Sequence, residues 1–545
     1  FLRELGCDWV RPGADGEIIP ERGLDEVDVE LEEAPSYRHR GVCIEGAVSG
    51  DHVLAMIDWM PKLGMNAYFN QFNNPYCFYD RWYSHIGNAL YDAETLSSAE
   101  IRGLRDESVA QLKKRGMLYH AAGHGWTCEP FGIPGETWDA ARKYEITDEQ
   151  RGFMAEVNGV RELWKGVPLN TNLCYSNPEV RARIARAIGD CCAGTPEIDY
   201  LHLWLADGSN NHCECAECVR KNPADWYVRL LNEVDDELTA RNLPQKVVFL
   251  IYVDLLWAPQ TETLHNPERF VLMFAPITRT YSTSIADGKP FDEAALPPYT
   301  RNKLRFPRSV EENLAWLRRW QAVFRGDSFD FDYHFMWDHY RDPGYSRMAE
   351  ILFCDMQSLH AVGLNGMMSC QTQRAFFPTG LGMTAMAAAL WDGNADYRDV
   401  ANHYFDAAFG EDGPAAQEYL EKLSDAFDPP YLRGEKPAVD PEAARRFRTI
   451  PEILDEYRDI IEENIDSEDN SENVRQSWAY LEYHAELCRM LARALTYRAE
   501  GRQEKAKAAL EDVLSFARQN ERDLNAVLDV WLFQNTTRGM VNENI

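Results

Sequence analysis

The sequence predicts an α/β protein: a parallel (β/α)8 TIM barrel, followed by an all-α C-terminal domain and preceded by the remnant of an N-terminal α/β domain. Three observations carry this expectation. From Tyr37 to Arg374, short apolar runs rich in β-branched and aromatic residues alternate with helical patterns, as βα units do. Eight such runs can be counted, the number that closes a barrel. After Phe377 the strand patterns stop and helical patterns continue to the end. The expected division is therefore residues 1–36 as remnant and linker, 37–376 as the catalytic barrel and 377–545 as the helical domain.

The strands are expected in YRHRGVCIEG (Tyr37 to Gly46), MNAYFNQF (Met65 to Phe72) and MLYHAAGHGW (Met117 to Trp126). A longer excursion containing PLNTNLCYSNPEV and a helix near Val180 to Cys192 precedes YLHLWLAD (Tyr200 to Asp207). The remaining four are VVFLIYVD (Val247 to Asp254), FVLMFAPI from Phe270, FDFDYHFMWD (Phe329 to Asp338) and GLNGMMSCQTQ (Gly363 to Gln373). At the front, FLRELGCDWV reads as the end of a helix leading to a strand, and the first residue is Phe1, so an upstream region is expected. The acidic run of the linker ADGEIIPERGLDEVDVELEEAPS reads as a solvated edge.

Composition narrows the function. The 545 residues are 45% hydrophobic and 26% charged, enough for a large core. A net charge of −32, from 88 acidic against 56 basic residues spread along the chain, argues against nucleic acid as a partner. No run approaches the roughly 18 apolar residues of a membrane span, and nothing resembles a signal peptide. The expected location is cytoplasmic and the expected partner a small glycan or glycoside, with homo-oligomerisation left open.

Thirteen cysteines are too sparse for a disulfide scaffold. Cys191, Cys192, Cys354 and Cys488 fall in helical patterns and read as small core hydrophobes. HCECAEC differs: Cys213, Cys215 and Cys218 crowd within six residues, directly after Asp207. Tetrahedral zinc takes four sulfur or nitrogen ligands, and a compact loop can supply three. Cys174 is the preferred fourth, with Cys128 behind it, and such a closed zinc site would be structural, pinning the loop that carries Asp207.

The active site of a barrel lies at the carboxyl ends of its strands, so the residues ending each strand are the ones to read. They are Glu45; Asn70 and Asn73; His124 and Trp126; Asp207; Tyr252, Asp254 and Trp257; Trp337, Asp338 and Tyr340; and Gln371, Gln373 and Arg374. Aromatic rings stack on the apolar faces of a sugar, and the polar side chains bind its hydroxyls. Glycosidic cleavage further needs two carboxyl groups, one of them a proton donor to the leaving oxygen. Asp207, Asp254, Asp338 and Glu45 are the candidates. Any one of them could instead cap a helix or pair with an arginine. The expected substrate-binding set is Glu45, Asn70, His124, Trp126, Trp257, Trp337, Tyr340, Gln371 and Arg374.

The segments RGVCIEG, NAYFNQFNNPY, LCYSNPEV and YLHLWLADG together resemble the family 20 and family 84 glycoside hydrolases, the β-N-acetylhexosaminidases. FLRELGCDW with EAPSYRHRG resembles the junction before the barrel in those enzymes and in α-glucuronidases. From Phe1 to roughly Gly410 the chain resembles a bacterial group containing a domain of unknown function 4838. The resemblance implies substrate-assisted retaining hydrolysis, in which the 2-acetamido oxygen attacks the anomeric carbon. One carboxylate polarises the acetamido group, its neighbour protonates the leaving group and a tyrosine steadies the oxazoline. Here Asp207 is followed by Gly208, so one member of that adjacent pair is missing: either Asp207 is the acid and a partner such as Asp254 or Asp338 takes the other role, or the reaction is not the acetamido-assisted one. Tyr252 or Tyr340 would be the phenol.

The expectation is an exo-acting β-N-acetylhexosaminidase, β-N-acetylgalactosaminidase favoured. The alternatives are an inverting α-glucuronidase-like hydrolase with Arg374 as its rim cation, an inactive carbohydrate-binding barrel, and a catalytic zinc, for which the usual HxE spacing is missing.

Overall fold

A computed structural model describes residues 1–542 apart from Leu24 and Glu26; these two linker residues and residues 543–545, the end of the expected helical domain, lie outside it. Eight parallel strands close a barrel: β1 (His39–Glu45), β2 (Ala67–Asn70), β3 (Leu118–Ala121), β4 (Tyr200–Leu203), β5 (Lys246–Ile251), β6 (Phe270–Phe274), β7 (Ser328–Asp332) and β8 (Gly366–Thr372). Each pairs with its sequence neighbours, and β8 closes on β1 with Met368 opposite Gly41 and Cys370 opposite Cys43. All eight fall within or beside the expected runs. Their period of two divides the side chains: Cys43, Phe69, Val248, Val271, Phe329 and Met368 fill the barrel, while Val42, Ile44, Tyr68, Leu201 and Phe249 face the helices.

The connections carry α1 (Gly50–Trp59), α2 (Tyr76–Tyr83), α3 (Ser98–Lys114), α4 (Asp148–Phe153), α5 (Pro178–Gly194), α6 (Pro223–Ala240), α7 (Val310–Gln321), α8 (Ser346–Ser358) and α9 (Leu381–Trp391). Local chemistry sets their starts. Asn177 and Asn222 cap α5 and α6, each followed by proline, whose missing N–H costs nothing in the first turn. In α5 the buried stripe Val180, Ile184, Ile188, Cys192 recurs every fourth residue. Cys192 and Cys488 are buried, whereas Cys191 and Cys354 are half-buried. Helix α9 packs along α8 and is the crossover of the eighth unit, so this unit extends past residue 376.

Beyond it, α10 (Tyr397–Phe409), α11 (Gly413–Phe427), α12 (Pro429–Leu432), α13 (Pro441–Phe447), α14 (Ile450–Asp466), α15 (Glu472–Ala499), α16 (Gln503–Gln519) and α17 (Val530–Asn542) assemble around the 28-residue α15. The segment between α16 and α17 returns to the barrel rim. There the Asp529 carboxylate accepts from Ala47 N (2.7 Å) and Thr372 Oγ1 (3.0 Å). Arg374 donates to Leu528 O (3.0 Å) and Ala47 O.

Residues 2–6 form turns, not the expected helix end. A two-residue hairpin, Asp8–Trp9 with Glu17–Ile18, follows and is tied to α15 by Arg11 and Ser477 (2.8 Å). The acidic stretch 27–35 is largely exposed. No helix among the described residues is long and apolar enough to cross a membrane.

Candidate active site

A cavity of about 310 Å³ opens at the carboxyl ends of the strands. Inward-facing residues of β4 are Tyr200, His202 and then Trp204, whose ring forms a wall and meets His124 edge-on at 4.5 Å. Three residues on, the backbone N–H of Asp207 donates to Leu169 O (2.9 Å), which anchors the turn and leaves its carboxyl in the cavity. Tyr252 and Trp138 line the cavity with this carboxyl and favour its ionised form. Burial pushes Asp207 above the usual carboxylate range, and these two donors only partly offset that.

Strand β5 leads into a 3-10 turn, Val253–Leu256, in which Val253 sits at φ +40°, strained for a β-branched residue. The strained turn flanks Val253 with Tyr252 and Asp254, both lining the cavity. Asp254 is buried, and its two oxygens accept from Asn210 N at 3.1 and 3.0 Å. Asn210 occupies the left-handed region that asparagine tolerates and is braced by Leu304 N donating to its Oδ1 (2.7 Å). Desolvation drives Asp254 up to about 6. His212, whose Nε2 lies 4.0 Å from Asp254, is pushed down to about 3 by burial and stays neutral. Two carboxyl groups of raised proton affinity therefore share one aromatic cavity, as groups that exchange protons with a substrate do.

Across the cavity, Glu45 pairs with Arg81 at 2.6 Å and is approached by Gln71 Nε2 at 3.3 Å. Arg81 in turn lies over the ring of Trp531, 4.2 Å from its centroid. Trp531 and Leu532 at the start of α17 complete the wall, so the C-terminal domain contributes directly to the site.

Of the expected residues, Glu45, His124, Asp207, Tyr252 and Asp254 line this cavity. The others are placed elsewhere. Asp338 is fully buried in a two-pronged pair with Arg433 (2.9 and 2.7 Å), joining barrel to helical domain. Asn70 bonds Ser108 at 3.3 Å, and the Trp126 indole N–H donates to Ala122 O and His202 O. Trp257 packs on Trp316 with centroids 4.4 Å apart and donates to Pro297 O. Trp337 stacks behind Tyr333, which does line the cavity, and Tyr340 reaches Asp529 O at 3.4 Å. Gln371 is enclosed against Met383 Sδ, and Arg374 clamps the returning C-terminal segment. Cys174, Cys213, Cys215 and Cys218 do converge, their sulfurs within 4.8 Å of one another, whereas Cys128 turns to Gly125 O. Trp204 was readable from the inward parity of β4. Tyr333 continues the inward parity of Phe329 and Phe331 on β7, whereas Trp138, Arg81, His212 and Trp531 come from loops and helices whose approach no spacing announces.

The buried Asp338–Arg433 pair makes a prediction outside the chemistry. Asp338→Ala strands the Arg433 charge and is expected to cost about 3–5 kcal/mol in denaturant unfolding. The turnover of the molecules that remain folded is expected to be unchanged. A loss of turnover with intact stability would return Asp338 to the catalytic set.

The family model described as "Domain of unknown function (DUF4838)" matches residues 142–421. No curated protein matches the chain. Among solved structures it is similar to a GH138 enzyme targeting pectin rhamnogalacturonan II, at 12% identity over 92% of this chain and 78% of that one (TM-score 0.48). It is also similar to an O-GlcNAc hydrolase of Thermobaculum terrenum at 11% identity over 93% and 95% of the two chains (TM-score 0.42). A third is a family 89 glycoside hydrolase from Clostridium perfringens, in complex with its substrate GlcNAc-alpha-1,4-galactose, at 11% identity over 94% of this chain and 59% of that one (TM-score 0.46).

Proposed function

The chain belongs to the family of the domain of unknown function 4838, and from that premise and the contents of its cavity we propose that it is an exo-acting glycoside hydrolase. The finer reading is a retaining β-N-acetylhexosaminidase using acetamido assistance, with β-N-acetylgalactosaminides as the favoured substrates. One observation carries it: the Asp207 carboxyl and the Tyr252 phenol share an aromatic cavity with Asp254.

Asp207, pushed up by burial, is the proton donor to the departing oxygen. Asp254 takes the role that the missing adjacent carboxylate would have filled: ionised, it polarises the acetamido N–H as the acetamido oxygen attacks the anomeric carbon. A C–O bond to the leaving group breaks as the oxazoline C–O bond forms, and Asp207 gives its proton to the leaving oxygen. Water then opens the oxazoline, with Asp207 now accepting the proton. Tyr252 lines the cavity with the Asp207 carboxyl and borders the reacting centre, and Trp204, Trp138 and Tyr333 supply ring faces for the sugar. The wall of Trp531 and Leu532 supports recognition of a chain end over a chain interior.

Arg81 is the observation that favours a second reading, an α-glucuronidase-like hydrolase, since it places a cation in the cavity. Its pairing with Glu45 weighs against this, because the charge is already neutralised. The test is release of nitrophenol from β-GalNAc, β-GlcNAc, β-Gal and α-GlcA aryl glycosides, with Asp207→Asn as control. Cleavage confined to the acetamido sugars and lowered by about 10²–10⁴ in the variant is the expected result. Cleavage of the glucuronide alone would replace the reading with the second, and binding of sugars without any cleavage would leave a carbohydrate-binding barrel.

A further inference from the structure

Four thiols meet beside the cavity from two separate stretches: Cys174 in the excursion between β3 and α5, and Cys213, Cys215 and Cys218 in the loop after β4. Their sulfurs all lie within 4.8 Å of one another, with Cys174 Sγ 3.7 Å from Cys215 Sγ and 3.9 Å from Cys218 Sγ. These separations are far beyond a disulfide of about 2.0 Å. They match the edge of a tetrahedron of sulfurs around zinc, which is about 3.8 Å for Zn–S bonds of about 2.3 Å. Thiols packed merely as hydrophobes have no reason to aim four sulfurs at one point.

The surroundings suit a tetrathiolate. Glu156 N–H points at Cys213 Sγ (3.3 Å), and the positive charge of Arg161, which interacts electrostatically with Cys174 and Cys213, offsets the negative charge of four thiolates around a divalent ion. Arg301 ties the loop from outside by donating to the carbonyls of Cys213 (2.9 Å), Cys218 (2.9 Å) and Lys221 (2.6 Å).

We propose that Cys174, Cys213, Cys215 and Cys218 bind one zinc ion and thereby clip the loop after β4 to the excursion that precedes α5. With all four positions filled by sulfur, no place is left for a reacting water, so the metal is structural. Binding releases the four thiol protons to solvent and involves no change of oxidation state. The clipped loop holds Asn210 and His212 against Asp254, and the cavity wall is braced from outside by the metal.

The test uses the full chain purified under reducing conditions without added metal. The expected results are one zinc per chain by atomic emission, and release of that zinc to a colorimetric chelator as an organomercurial consumes four thiols. Cobalt(II) in place of zinc is expected to give the intense visible and near-ultraviolet bands of a tetrahedral thiolate site. Cys215→Ser is expected to lose the metal, with amide exchange rising in residues 153–176 and 207–222 while the barrel strands stay protected. Should that variant fail to fold, the cobalt spectrum of the unaltered chain decides. Zinc well below one per chain even after refolding with zinc, or a disulfide between any two of the four in a mass-mapped digest, would overturn the proposal.

Discussion

Asp207→Asn is expected to lower kcat/KM for p-nitrophenyl and natural glycosides by about 10²–10⁴, the usual worth of a general acid, yet to lower it less than about tenfold for dinitrophenyl glycosides. The difference follows from the role. A poor leaving group needs a proton as its bond breaks, whereas dinitrophenolate departs without one. Burial raises the proton affinity of Asp207, so the carboxyl is protonated at a pH where an exposed one is ionised. Activity of the unaltered enzyme should accordingly fall on the alkaline side as Asp207 loses its proton, and the residual activity of the variant on the dinitrophenyl substrate should lack that limb. Tyr252→Phe removes a donor that favours the ionised form, and is expected to move the limb to higher pH. An equal loss on both leaving groups would mean that Asp207 stabilises charge or orients the sugar and is not the acid.

The barrel was legible in the sequence because its strands are short apolar runs between helical patterns, and all eight were placed. Their carboxyl ends fall short of the apolar runs, since the apolar character of YLHLWLAD and FDFDYHFMWD continues past the strand ends at Leu203 and Asp332 into the rim loops. This overshoot explains the uneven reading of the site. Close to a strand end the parity of two still holds, and Glu45 and Tyr252 fall where expected. Six residues past β7 it is lost, and Asp338 turns away to Arg433. Tryptophans were poor guides for a related reason: a large ring is as useful under a helix, as Trp257 on Trp316, as it is against a sugar. Arg374 looked like a rim cation because nothing in the sequence announces that residues 528–529 return to meet it. The cysteine cluster was legible because three of its members are local, and the fourth lies in the excursion leading to β4.

Asp254→Asn is expected to abolish acetamido-assisted cleavage and, at the same time, to stabilise the fold at neutral pH. Both follow from one fact, that burial lifts this carboxyl from 3.8 to about 6. The native state then holds its proton more tightly than the unfolded chain. Its contribution to stability is complete below about pH 3.8, declines as pH rises, and is gone above about 6, a change of roughly 3 kcal/mol for two units at 1.36 kcal/mol each. Asparagine is neutral throughout, and its Oδ1 can still accept from Asn210 N–H, so the variant keeps the loop contact without a charge to desolvate. Denaturant midpoints taken from pH 4 to pH 8 should therefore fall less steeply for the variant than for the unaltered chain, with the gap widest above pH 6. The kinetic counterpart is an acid limb near pH 6 in kcat/KM of the unaltered enzyme, because only the ionised carboxylate can polarise the acetamido N–H. A residue whose charge costs stability at the pH where it works is what a catalytic carboxylate should be. If Asp254→Asn instead unfolds more readily at pH 8 and its loss of activity merely tracks that unfolding, the carboxylate is an anchor for the Asn210 loop, and the polarising role must pass to Glu45, the remaining expected carboxylate in the cavity.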